Sequence, residues 1–170
     1  FGARTYDFES ADKIICSYTQ NGQWYLARID TTSNKFEKID LPYCEIVYPR
    51  VINGAAVFVA GAADQSLNLI QFDLATQKIS PIKPPSKKKF DLGYLSTPQT
   101  IEFPTENGLT AYGIFYPAQN KDYAAPADER SPLLVLSHGG PTSATSMVFK
   151  SGIQYWTSRG IAVLDVNYGG

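Results

Sequence analysis

His138, Gly139, Gly140 and Pro141 stand directly after the apolar run Leu133-Leu-Val-Leu-Ser137, and their order is the chemically most informative feature of the chain. A short buried-type strand runs into residues that expose backbone. Glycine lets the main chain approach a ligand closely and take conformations that a β-carbon forbids, whereas Pro141 fixes its own φ and offers no N–H. Bare N–H groups at a strand end suit an oxygen that gains negative charge, as in the tetrahedral intermediate of acyl transfer. The rest of such a machine is missing: no G-x-S-x-G occurs, and His138 is the sole histidine, so no Ser/His pair can be assembled. The chain therefore reads as part of an enzyme. The plainer alternative is a tight Gly-Gly-Pro turn beside a structural, hydrogen-bonded histidine.

Composition sets the frame. The 170 residues are 44% hydrophobic and 18% charged with net charge −1, ordinary for a globular protein of one domain or two small ones. No basic footprint for nucleic acid exists, and no apolar stretch approaches the ~20 residues of a membrane span, so neither partner is expected. Lys87-Lys88-Lys89 beside two prolines reads as a solvated linker, and the S-x-x-K string begun by Ser86 lacks the helix start that motif needs. Cys16 and Cys44 are too few for a disulfide scaffold; as buried free thiols they favour a reducing, cytoplasmic location. Nothing has the ligand spacing of a metal site, and no cofactor is called for. The chain opens at Phe1 without methionine and stops at Gly170 after an apolar strand, so both ends read as cut.

Elements that could position the loop follow from two different periodicities. In the first ninety residues, Ile15 and Phe58, Leu26 and Leu69, Asp30 and Asp73, Lys35 and Lys78, and Ile39 and Ile82 all lie 43 apart. Residues 24–30 and 67–73 alternate as strands, end in Asp and enter polar turns that lead to further strands at 35–39 and 78–82. A period of about 40–50 residues with about four strands per unit is that of a β-propeller blade. Two blades cannot cover their own faces, so others are expected upstream; a small β-sandwich is the alternative. Trp24, Tyr25, Phe58 and Phe72 read as inter-sheet packing.

A Pro- and Lys-rich stretch over 82–90 marks a boundary between domains at 1–90 and 91–170. Beyond it, strands at 99–104 and 109–116 flank Thr105-Glu-Asn-Gly108, whose Asn-Gly suits positive φ in a hairpin. An apolar strand at 133–137, a helix at 146–159 with Phe149, Ile153 and Trp156 on one face, a stop at Gly160, and an apolar strand at 161–167 make a βαβ unit. Its strands are expected to be parallel and buried on both faces. The fold class is thus α/β plus all-β.

This order, with the HGGP loop, Ser158-Arg-Gly160 and the ending Asp165-Val-Asn-Tyr168, resembles the prolyl oligopeptidase family of serine peptidases, nearest its acylaminoacyl-peptidase and dipeptidyl-peptidase-like branch. Only residues 133–170 are specific in the match. The resemblance implies about two blades of a propeller followed by the N-terminal strands and first βαβ unit of an α/β-hydrolase domain. It implies hydrolysis of short peptides or acyl-peptides through an acyl-enzyme, with the propeller restricting access. Gly140 would be the oxyanion N–H donor, with Gly139 next; His138 would orient the loop. Tyr168 reads as packing, and Gly169 replaces an Arg that many members carry, so no role of that Arg transfers. The Ser-Asp-His triad would lie outside this chain, leaving it inert alone. Expected partners are a peptide substrate and the remainder of the same polypeptide, with homo-oligomerisation left open. A carboxylesterase and a propeller scaffold carrying a degenerate hydrolase domain are the rival readings.

Overall fold

A computed structural model describes residues 4–84, 90–140 and 143–168. Ser86 with Lys87–Lys89, Pro141 and Gly169 lie outside the described residues. The chain divides into two compact units, Phe1–Lys87 and Lys88–Gly170.

The first unit consists of two four-stranded antiparallel meanders, a propeller-like arrangement. Strands β1 (Tyr6–Phe8), β2 (Lys13–Gln20), β3 (Gln23–Asp30) and β4 (Lys35–Ile39) form one sheet in that order. Strands β5 (Glu45–Ile52), β6 (Ala55–Ala62), β7 (Gln65–Asp73) and β8 (Ile79–Pro81) form the other. The 43-residue offset has a local physical basis. Asp30 accepts the N–H groups of Thr32 and Ser33 at 3.0 and 2.8 Å, and Asp73 accepts those of Ala75 and Thr76 at 3.1 and 2.7 Å. Asn34 and Gln77 then close the two turns at φ 56° and 58°. Each carboxylate thus builds a side-chain-closed turn.

The offset fails for burial in β7. Ile15 faces Arg28 across β2 and β3, but Phe58 faces Ile70 rather than Gln71 across β6 and β7. Since a one-residue slip reverses which face a side chain takes, Leu26 is fully buried while Leu69 is 40% exposed, and Ile70 and Phe72 fill the core instead. That core joins both sheets through Ile15, Leu26, Ile46, Phe58, Ile70 and Phe72. Polar ties reinforce it. Arg28 donates to both Glu9 oxygens at 2.6 and 3.0 Å and to the Leu74 carbonyl at 3.1 Å, and Asp7 accepts Val51 N–H at 2.9 Å.

Backbone donors hold three of these carboxyls below their ordinary range: Val51 N–H acts on Asp7, Ser33 N–H on Asp30 and Thr76 N–H on Asp73. A depressed folded-state pKa contributes stability that is complete above the unfolded value, about 3.9, and is lost as pH falls toward the folded values. Thermal unfolding midpoints are therefore expected to drop below about pH 4. The Asp30→Asn/Asp73→Asn variant should show a shallower acid limb; an unchanged limb would count against these turns as the acid-labile element. Cys16 and Cys44 are free, as expected, but half-buried rather than buried, and burial pushes the Cys44 thiol up to about 11.

The second unit carries one mixed sheet. Strands β9 (Gln99–Pro104) and β10 (Thr110–Tyr116) form the expected hairpin, with Asn107 and Gly108 at φ 58° and 72°. Strands β11 (Leu133–Ser137) and β12 (Ala162–Asn167) are parallel and linked through α1 (Ser151–Thr157); the strand order is β11-β12-β10-β9. An antiparallel hairpin beside parallel strands is common in mixed sheets.

Two expectations are corrected here. The helix begins at Ser151, not 146, because residues before it are tied to β12 by side chains: Thr145 N–H donates to Asn167 Oδ1 at 2.8 Å and Lys150 Nζ to Asp165 at 2.8 Å. Phe149 is buried outside the helix, Trp156 is 41% exposed, and the buried helical face is Ile153, Gln154 and Thr157. Gln154 is at home there because its amide accepts Ser96 N–H at 2.7 Å and donates to Ser96 C=O at 3.1 Å. The apolar strand β11 is also not buried on both faces. It is the sheet's terminal strand in the described residues, and α1 packs on β12, so Leu133 and Val135 are more than half exposed.

Candidate active site

The loop lies at the C-terminal end of β11, where the strand stops pairing with β12 at Ser137–Val166. Beyond this point the backbone turns sharply, with Gly140 at φ 75°, a conformation that glycine takes without penalty. Gly139 and Gly140 are exposed, and a β-carbon at either would meet nothing within 4 Å. Neither amide N–H has a hydrogen-bond partner among the described residues. The donors that the sequence pointed to are thus brought to an open surface and left unpaired. Pro141, the fourth residue of the motif, is outside the described residues.

His138 is half-buried, with both ring nitrogens shielded and without a hydrogen-bond partner among the described residues. Its ring stacks on Tyr168 at 4.2 Å between centroids and 13° between planes. Tyr168 was legible only as a packing residue, and that reading was incomplete. Its hydroxyl lies 3.0 Å from the carbonyl oxygens of both His138 and Gly140. The only hint in the sequence was its place one residue past the end of β12, level with the end of β11.

Beneath this level sits a polar cluster that the apolar pattern of β12 concealed. Asp165 is a buried carboxylate bonded to Thr145 Oγ1 and to Lys150 Nζ, and Lys150 also donates to Thr145 Oγ1 at 2.5 Å. A buried charge persists only when paired and hydrogen-bonded, and this one is. With Asn167 Oδ1 holding Thr145 N–H, residues 145–150 are bound to β12 at two heights. The cluster fixes the strand end from which Tyr168 departs.

No group of three or more His, Cys, Asp or Glu residues able to hold a metal is found among the described residues. A cavity of about 240 Å³ lined by Phe90, Tyr94, Phe149, Gln154 and Tyr155 shares no residue with the loop. No helix of the described residues is long and apolar enough to cross a membrane.

Comparison with known proteins gives a consistent picture. No family profile and no curated protein matches the chain. Among solved structures, a puromycin hydrolase variant complexed with PGG is 30% identical with a TM-score of 0.90, over 99% of this chain and 25% of that one. A puromycin-hydrolyzing peptidase of Mycobacterium tuberculosis is 26% identical with a TM-score of 0.91, over 99% of this chain and 26% of its own. An acylaminoacyl peptidase, 17% identical with a TM-score of 0.69, shares the fold. The solved structures that the chain resembles are puromycin hydrolases and peptidases of the prolyl oligopeptidase family, and the chain spans about a quarter of their length.

Proposed function

We propose that this chain is a segment of a serine peptidase, its first unit two blades of a β-propeller and its second the opening strands of an α/β-hydrolase domain. The observation that carries this reading is the unpaired, exposed pair of amides at Gly139 and Gly140, at the C-terminal end of a parallel strand. In that position, Gly140 first and Gly139 next would donate to the oxyanion of a tetrahedral intermediate. A nucleophilic serine in a strand-turn-helix elbow, with its Asp and His, would come from the remainder of the polypeptide. Substrates would be short peptides or acyl-peptides, and the likeness to puromycin hydrolases adds amides of the puromycin type. No metal or cofactor is required by serine acyl transfer. Free cysteines fit a cytoplasmic setting.

A fluorophosphonate probe is expected to label the full-length polypeptide and to leave residues 1–170 alone unmodified. Peptide anilides should be cleaved in preference to p-nitrophenyl esters. Labelling of the short chain would overturn the division of labour, ester preference would favour a carboxylesterase, and absence of both activities would favour a binding scaffold.

A further inference from the structure

We infer that Tyr168, rather than His138, is the positioning residue of the oxyanion loop: its hydroxyl decides that N–H groups, not carbonyls, face the reacting oxygen. This rests on the peptidase reading above. In a trans peptide the C=O and the following N–H point in opposite directions. A glycine pair restrains neither plane by sterics, so a peptide flip at Gly139 or Gly140 would cost little and would turn a lone pair toward the anion site.

Tyr168 removes that freedom. Its hydroxyl lies 3.0 Å from the His138 carbonyl and 3.0 Å from the Gly140 carbonyl, so a single O–H serves two acceptors that bracket Gly139. Holding the His138 carbonyl toward Tyr168 directs Gly139 N–H to the opposite side. Holding the Gly140 carbonyl as well fixes the next plane but one, and Gly140 N–H is confined between them at φ 75°.

The tyrosine is itself held. It follows Asn167, which is the last residue of β12, pairs with Tyr112 and accepts Thr145 N–H at 2.8 Å. The His138 ring makes no hydrogen bond to the described residues of the loop; it lies flat on Tyr168 at 4.2 Å and keeps that ring in place. The roles are thus opposite to those the sequence suggests: the tyrosine orients the loop and the histidine braces the tyrosine.

The test is Tyr168→Phe in the full-length polypeptide, a change that keeps the stacking ring and removes only the hydroxyl. The expected result is a fall in kcat of about tenfold, the worth of one net hydrogen bond, with KM unchanged. The rate constant for fluorophosphonate labelling should fall by the same factor, because phosphonylation also develops an anionic oxygen. A kcat and labelling rate within twofold of wild type would overturn the inference. So would a rise in KM with kcat intact, which would assign Tyr168 to substrate binding. Should the Phe variant unfold early, 3-fluorotyrosine at 168 keeps the ring and changes the hydroxyl's acidity; a kcat unmoved by it would equally overturn the idea. Failure of the wild-type polypeptide to label is a separate outcome, which would remove the peptidase reading and this inference together.

Discussion

Replacing Gly140 by valine is expected to lower kcat of the full-length polypeptide by about 10²–10³, the usual cost of losing one oxyanion donor. The effect is one of backbone conformation. A β-carbon at this position would touch nothing within 4 Å, so no steric clash with neighbours is introduced. The residue nevertheless sits at φ 75°, where a β-branched side chain is strongly disfavoured. Valine would relax by rotating φ to negative values, which swings the flanking amides and breaks the contact of the Gly140 carbonyl with Tyr168. Stability should change little, since holding one residue in an unfavourable region costs about 1–3 kcal/mol and the exposed loop can escape most of that. Steady-state kinetics with an unfolding curve checks both parts. A loss under threefold in kcat would mean that Gly140 does not supply the donor.

Asp165→Asn should destabilise the second unit by about 2–3 kcal/mol. Removing one member of a buried ion pair usually costs about 3–5 kcal/mol, because the partner charge stays behind unpaired. The Lys150 side chain keeps 34% of its exposure and so recovers part of its hydration, which places the expectation below that range. The amide oxygen of the variant can still accept from Thr145 Oγ1 or Lys150 Nζ, and Asn167 still holds Thr145 N–H, so the loss comes from the missing charge opposite Lys150. Urea unfolding of the wild type and the variant measures the difference. A loss below about 0.5 kcal/mol would show that the pair behaves as a surface contact.

Much of the architecture was legible because local chemistry and global fold agree. Asp30 and Asp73 announced the blade-like repeat through the turns they close, and Asn107-Gly108 announced the β9–β10 hairpin. The glycine loop could be located because an apolar strand ends abruptly at His138. What stayed hidden has a common origin in contacts between residues far apart in sequence. Phe149, Ile153 and Trp156 fit a helical face, but Thr145 and Lys150 are tethered by Asp165 and Asn167, so the helix starts a turn later and buries Gln154 instead. Ser96, which satisfies Gln154, lies in a stretch without periodicity. The part played by Tyr168 was equally invisible, since hydrogen bonds to the carbonyls of His138 and Gly140 leave no trace in spacing or hydropathy. Burial of β7 escaped for another reason, a one-residue change of register that no composition reveals.

The open edge of β11 has a practical consequence for handling the 170-residue polypeptide. Leu133, Val135 and Leu136 are presented on a strand whose outer backbone groups find no neighbouring strand among the described residues. Such an edge can template intermolecular strand addition, and natural sheets ordinarily protect theirs with charge, proline or a covering segment. Concentrated solutions of the isolated polypeptide would therefore drift toward fibrous or amorphous aggregates seeded at this strand, and a single lysine at Val135 would act as a gatekeeper against them.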